Sequence, residues 1–117
     1  MATLPMTEAS LELVARRFRT LGEPFRLRLL QQLEQGERTV GELVGSLDAS
    51  QSNVSKHLQL LYDAGLVARR RDGNSIFYSI GDPLVFELCR LVCRSEADRS
   101  RRELKALTRP LGRKAAR

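Results

Sequence analysis

Apolar residues recur along this chain at the period of an amphipathic helix, and one stretch breaks the rhythm. Leu11, Val14, Ala15 and Phe18 share a face of a predicted helix over residues 7–20. Pro24, at a first-turn position, opens a second helix containing LRLLQQL that stops before Gly36. Val40, Leu43, Val44 and Leu47 repeat at i, i+3, i+4 and i+7 in a third, announced by Thr39 as N-cap with Glu42 three residues on. Asp48-Ala49-Ser50 is a short polar break. Ser50 then caps a fourth helix with Val54, Leu58 and Leu61 as its buried stripe and an end near Ala64-Gly65. Beyond it the period changes. Residues 67–71 and 75–80 are rich in β-formers and flank Asp72-Gly73-Asn74, which tolerate positive φ, so they predict a hairpin. Asp82-Pro83 opens a last helix carrying Leu84, Leu88, Leu91 and Val92.

Helix, tight turn, helix and hairpin over residues 39–80 make the layout of a winged helix-turn-helix, mainly α with a small β-hairpin wing. In such a unit the second helix enters the major groove of duplex DNA. Its outer face here is Gln51, Ser52, Ser55, Lys56 and Gln59, polar, with one positive charge and no carboxylate. Gln bonds an adenine in two places, Ser reaches phosphate or base, and Lys neutralises backbone charge or contacts guanine. Arg69, Arg70 and Arg71 lead into the hairpin tip, where long cations reach phosphates flanking a groove or enter a narrow minor groove. The plainer readings are a solvated helix face and a charged edge strand that resists aggregation.

Three runs in order, LGEPFRLRLLQQL, SQSNVSKHLQLLYDAGLV and RRRDGNSIFYSI, resemble the ArsR/SmtB family of bacterial and archaeal winged-helix repressors over roughly residues 10–95. The resemblance implies a homodimer that represses transcription when free and leaves its double-stranded DNA operator on binding a metal ion, a metalloid or another signal. It also implies dimerising through the first and last helices, which sets two recognition helices about one turn of DNA apart. By the family pattern Gln51, Ser52, Ser55 and Lys56 face DNA. Thr39, Ser50, Gln59, Arg69, Arg70, Arg71 and Asn74 complete the expected contact set.

At 117 residues the chain is expected to be one domain: residues 1–6 a flexible N-terminus, 7–107 the winged helix-turn-helix with its dimerisation helices, and 108–117 a basic flexible tail. Net charge is +6, and the excess is terminal, since residues 90–117 hold ten Lys/Arg against three Asp/Glu. Bulk charge therefore does not locate a DNA face, whereas the placement of Lys56 and Arg69 to Arg71 does. Neither a long apolar run nor a signal-peptide pattern is present, so a cytoplasmic protein without a membrane partner is expected. A single histidine and no glycine-rich phosphate loop speak against an enzyme.

Many metal-responsive members of the resembled family carry a cysteine pair in the helix before the recognition helix, but that helix reads VGELVGSL and offers no thiol. His57, in the recognition helix, has no second ligand near it in sequence and reads as a packing or phosphate-contacting residue. Cys89 and Cys93 remain, four residues apart in ELCRLVC, with Cβ atoms roughly 6 Å apart on a helix. With a third ligand they would hold arsenite or another thiophilic metal ion as inducer, and alone they are a redox pair. They are equally ordinary core cysteines. No cofactor is certain, and a winged-helix regulator without metal or thiol sensing and a winged-helix protein-interaction module stay open as alternatives.

Overall fold

The computed structural model describes residues 6–108, so the expected N-terminal segment and basic tail lie, apart from Met6 and Thr108, outside the described residues. The chain divides after Asp82. Its first unit runs α1 (Glu8–Leu21), α2 (Pro24–Glu34), β1 (Arg38–Thr39), α3 (Val40–Leu47), α4 (Gln51–Asp63), β2 (Val67–Asp72) and β3 (Ser75–Ile80). The second holds α5 (Leu84–Thr108), which begins one residue after Pro83. The expected mainly helical fold with a hairpin wing is present, with one addition: β1 pairs antiparallel with β3 in a sheet of order β1-β3-β2. Two residues are too few to leave an alternation in sequence, and pairing of Arg38 with Tyr78 and Thr39 with Phe77 defines the strand.

Local chemistry sets the ends of the helices. Thr39 and Glu42 form a reciprocal capping box at α3, Thr39 N–H donating to Glu42 Oε1 at 2.9 Å and Glu42 N–H to Thr39 Oγ1 at 3.2 Å. Ser50 Oγ accepts from Asn53 N–H at the start of α4. Helix α4 stops in a Schellman motif: Leu66 N–H donates to Leu61 O, Gly65 N–H donates to Tyr62 O, and Gly65 takes the left-handed φ of +77° that closes the helix. The wing then starts at once. The turn expected at Asp72-Gly73-Asn74 is narrower, because Asp72 pairs with Ser75 within the strands; it is Gly73-Asn74, with positive φ at Gly73.

The core joins α2, α3, α4 and the wing. Leu29, Leu30 and Leu33 of α2, Leu43 of α3, and Val54, Leu58 and Leu61 of α4 meet Leu66, Val67 and Tyr78, all buried. Burying side chains of this size stabilises by about 1.5–3 kcal/mol each before chain entropy is counted. Helix α1 differs, burying only Leu21 and leaving Leu11, Val14 and Phe18 exposed, Phe18 by 53%. It is anchored instead by Arg17, which donates to Asp82 Oδ2 at 2.6 Å and to the Ala64 carbonyl at the end of α4. Helix α5, taken by itself, exposes Leu91, Val92, Leu104 and Leu107 and carries Arg-carboxylate pairs one turn apart, among them Arg99 with Glu96 and Glu103. No described helix is long and apolar enough to cross a membrane.

Candidate nucleic-acid interface

Positions 51, 52, 55, 56 and 59 of α4 lie at i, i+1, i+4, i+5 and i+8, a single stripe opposite the buried Val54, Leu58 and Leu61. Gln51, Ser52, Ser55 and Lys56 are exposed. Gln51, Ser55 and Lys56 have no side-chain partner among the described residues, while Ser52 Oγ lies 3.4 Å from Ser50 Oγ. The first turns of α4 thus present donors, acceptors and one cation to whatever approaches. Ser50 and Thr39, both expected at the interface, have their hydroxyls bound as caps of α4 and α3.

Gln59 and the wing arginines are braced to different degrees. Gln59 Nε2 donates to Asp63 Oδ1 at 2.9 Å, and its Oε1 accepts from Arg69 at 3.2 Å. Arg69 also lies over the Tyr62 ring, 3.8 Å from its centroid, and the Tyr78 side chain holds its guanidinium above the usual arginine range. Arg70 points to the other face of the hairpin, because successive strand residues alternate. There it bonds both Glu37 carboxylate oxygens at 2.8 Å and stacks over Phe77, and the same pairing holds the Glu37 carboxyl below the usual carboxylate range. Arg71, on the Arg69 side near the tip, is exposed and has no partner among the described residues. Asn74 is exposed in the turn. The three arginines therefore differ: two are tied to the fold, and one is free.

His57 lies on the buried face of α4. Its Nδ1 lies 3.1 Å from an Arg26 guanidinium nitrogen and its ring packs on Phe25, with centroids 5.1 Å apart. Arg26 also donates to the Thr20 carbonyl at 2.7 Å. Burial, and after it the Arg26 charge, push the imidazole below its ordinary value, which favours a neutral ring accepting from Arg26. The packing role expected from its isolation in sequence is the one it has.

On α5 Cys89 is half-buried and Cys93 exposed, and both are free thiols. Burial pushes the Cys89 thiol up against the opposing pull of Arg90, so the neighbouring arginine does not make it a ready thiolate. Among the described residues no three of His, Cys, Asp and Glu come together in a group able to hold a metal ion. Two thiols by themselves fall short of the three or four ligands of a tetrahedral metal site.

Residues 23–69 match the family described as bacterial regulatory protein, arsR family. A probable mercury resistance operon repressor of Streptomyces lividans is 45% identical over 97 residues, 83% of this chain and 76% of that protein. The chain belongs to the ArsR family. The crystal structure of Mycobacterium tuberculosis Rv0081 matches this ArsR-family chain with 39% identity and a TM-score of 0.70, covering 80% of this chain and 99% of that one. A homodimeric winged helix-turn-helix DNA-binding domain from Mycobacterium bovis, described as a possible ArsR-family transcriptional regulator, matches with 35% identity and a TM-score of 0.69 over 84% of this chain and 91% of that one. Membership makes the protein a transcriptional regulator and not an enzyme.

Proposed function

We propose that this ArsR-family chain is a homodimeric, sequence-specific repressor that acts in the cytoplasm and lays α4 in the major groove of a double-stranded operator. One observation carries the proposal: α4 buries Val54, Leu58 and Leu61 completely while Gln51, Ser52, Ser55 and Lys56 stand exposed with no carboxylate among them. Gln51 and Ser52 meet base edges, and Ser55 and Lys56 meet phosphates. Arg71 and Asn74 take the backbone beside the groove. Thr39, Ser50, Gln59, Arg69 and Arg70 fix where those groups stand, and the arginines add whichever of their five N–H donors the braces leave open.

Pairing is supported by the apolar side chains that α1 and α5 keep exposed, Leu11, Val14 and Phe18 on the first, Leu91 and Val92 on the second. The homodimeric relative from M. bovis agrees with it, and the repressor name of the S. lividans relative favours repression over activation. Selection of duplexes from a randomised library tests the proposal. It is expected to enrich an inverted repeat, with half-sites about 10 base pairs between centres. Affinity for that repeat should fall steeply with salt. No enrichment would contradict it and leave a protein-interaction module as the better account.

Release by an inducer at Cys89 and Cys93 is the finer part of the proposal. Two thiols one helical turn apart, one of them exposed, and a relative named for mercury resistance support it. With no third ligand grouped with it among the described residues, the pair answers a transient thiophilic ion such as arsenite, or an oxidant. A coupling of about 1–3 kcal/mol between thiol and DNA sites suffices to derepress. The C89S/C93S double variant on operator DNA, titrated with arsenite, mercuric ion and an oxidant, is expected to stay bound where wild type leaves. Identical release by both makes the cysteines packing residues.

A further inference from the structure

We infer that Arg28 of α2 is a further DNA-backbone contact, closing with Lys56 on one phosphate of the strand that α4 engages. The inference rests on the DNA-binding role proposed above. An open cleft of about 600 Å³ lies between α2, the α3–α4 turn and the first two turns of α4, and Arg28, Ser52, Lys56 and Asp48 are among its lining residues. Arg28 and Lys56 enter it from different helices, both exposed, and neither has an ion-pair or hydrogen-bond partner among the described residues. Several other arginines are held by the fold: Arg26, two residues before Arg28 on α2, by Thr20 and His57, Arg17 by Asp82, and Arg70 by Glu37.

Two unpaired cations facing one cleft repel each other until an anion lies between them, and a phosphodiester carries a charge for them to share. The cleft also opens at the positive end of the α4 dipole, where the backbone N–H groups of the first turn favour an anion. An open trough suits a continuous polymer. Ser52 and Lys56, already assigned to the DNA-facing stripe, are in its wall, so a strand that meets them runs past Arg28. Asp48 is the carboxylate on that wall and opposes the phosphate.

Three variants of the full chain test this on the selected duplex and on a scrambled one, over a range of salt, with thermal melting as a check of folding. Arg28→Gln is expected to weaken both duplexes by roughly tenfold and to lower the slope of log affinity against log salt by about one, the signature of a lost phosphate contact. Asp48→Asn, which keeps a residue tolerant of the observed left-handed φ of +52°, is expected to tighten both. Arg16→Gln removes the same charge beside Asp63 and Ala64 at the far end of α4 and is expected to change neither. Wild-type affinity and slope for Arg28→Gln, or an equal loss for Arg16→Gln, overturns the clamp. If Arg28→Gln fails to fold, Asp48→Asn decides, and unchanged binding by it overturns the clamp as well. A wild type that binds no duplex refutes the DNA-binding proposal instead.

Discussion

Helices α1 and α4 are nearly equal in length, 14 and 13 residues, and both are amphipathic, yet they use their faces in opposite ways. Helix α4 buries its apolar stripe completely against α2, α3 and the wing, and its polar face is the part left to meet a partner. Helix α1 buries one residue, and its apolar face is the part left over. An amphipathic pattern therefore identifies a helix without saying what covers it. In α4 the fold itself is the cover, and in α1 a second copy of the chain is the cover we propose.

The largest expected effect separates the two faces. Leu58→Ala empties a fully buried position and should destabilise the fold by about 2–5 kcal/mol in urea unfolding. Phe18→Glu should leave the unfolding of the subunit nearly unchanged at equal assembly state but weaken dimerisation by about 2 kcal/mol or more, read by sedimentation velocity at micromolar protein. Equal destabilisation by both would erase the contrast. On the polar side, Arg71→Ala should weaken DNA binding several-fold and lower the salt slope by about one. Arg70→Ala should do less, because Glu37 already holds that guanidinium.

The smallest effect belongs to His57, at the seam between the buried and exposed sides of α4. Its folded value lies below its ordinary 6.5 because burial and Arg26 disfavour the imidazolium. The unfolded chain therefore binds the extra proton more readily. Stability should be full above pH 6.5 and decline as pH falls toward the depressed folded value. His57→Gln should flatten the Tm profile between about pH 7 and 5, a window in which few carboxylates titrate. An unchanged profile would show that some other group carries the acid sensitivity.

Much of the fold was legible because it is local. The Thr39-Glu42 box, the Ser50 cap and the Ala64-Gly65 stop each depend on residues a few positions apart and appear as read, and the turn read over Asp72-Gly73-Asn74 is shorter by Asp72. Contacts across long separations were not legible: Arg26 with His57, Glu37 with Arg70, Arg17 with Asp82, and the pairing that makes Arg38 and Thr39 a strand. One missed distinction did have a signal. Alternation along β2 places Arg70 opposite to Arg69 and Arg71, so a run that reads as one basic patch had to split between two faces. Arg28 left no such trace, since its relation to Lys56 exists only once α2 and α4 are packed.

Hydroxyl-radical footprinting of the wild type on the selected duplex reads the exposed face of α4 and the pairing of two copies in one experiment. Two symmetric protected patches are expected, centred about 10 base pairs apart, each flanked by backbone protection that Arg71→Ala reduces. A single protected patch, or protection unchanged by Lys56→Ala and Arg71→Ala, would contradict that expectation.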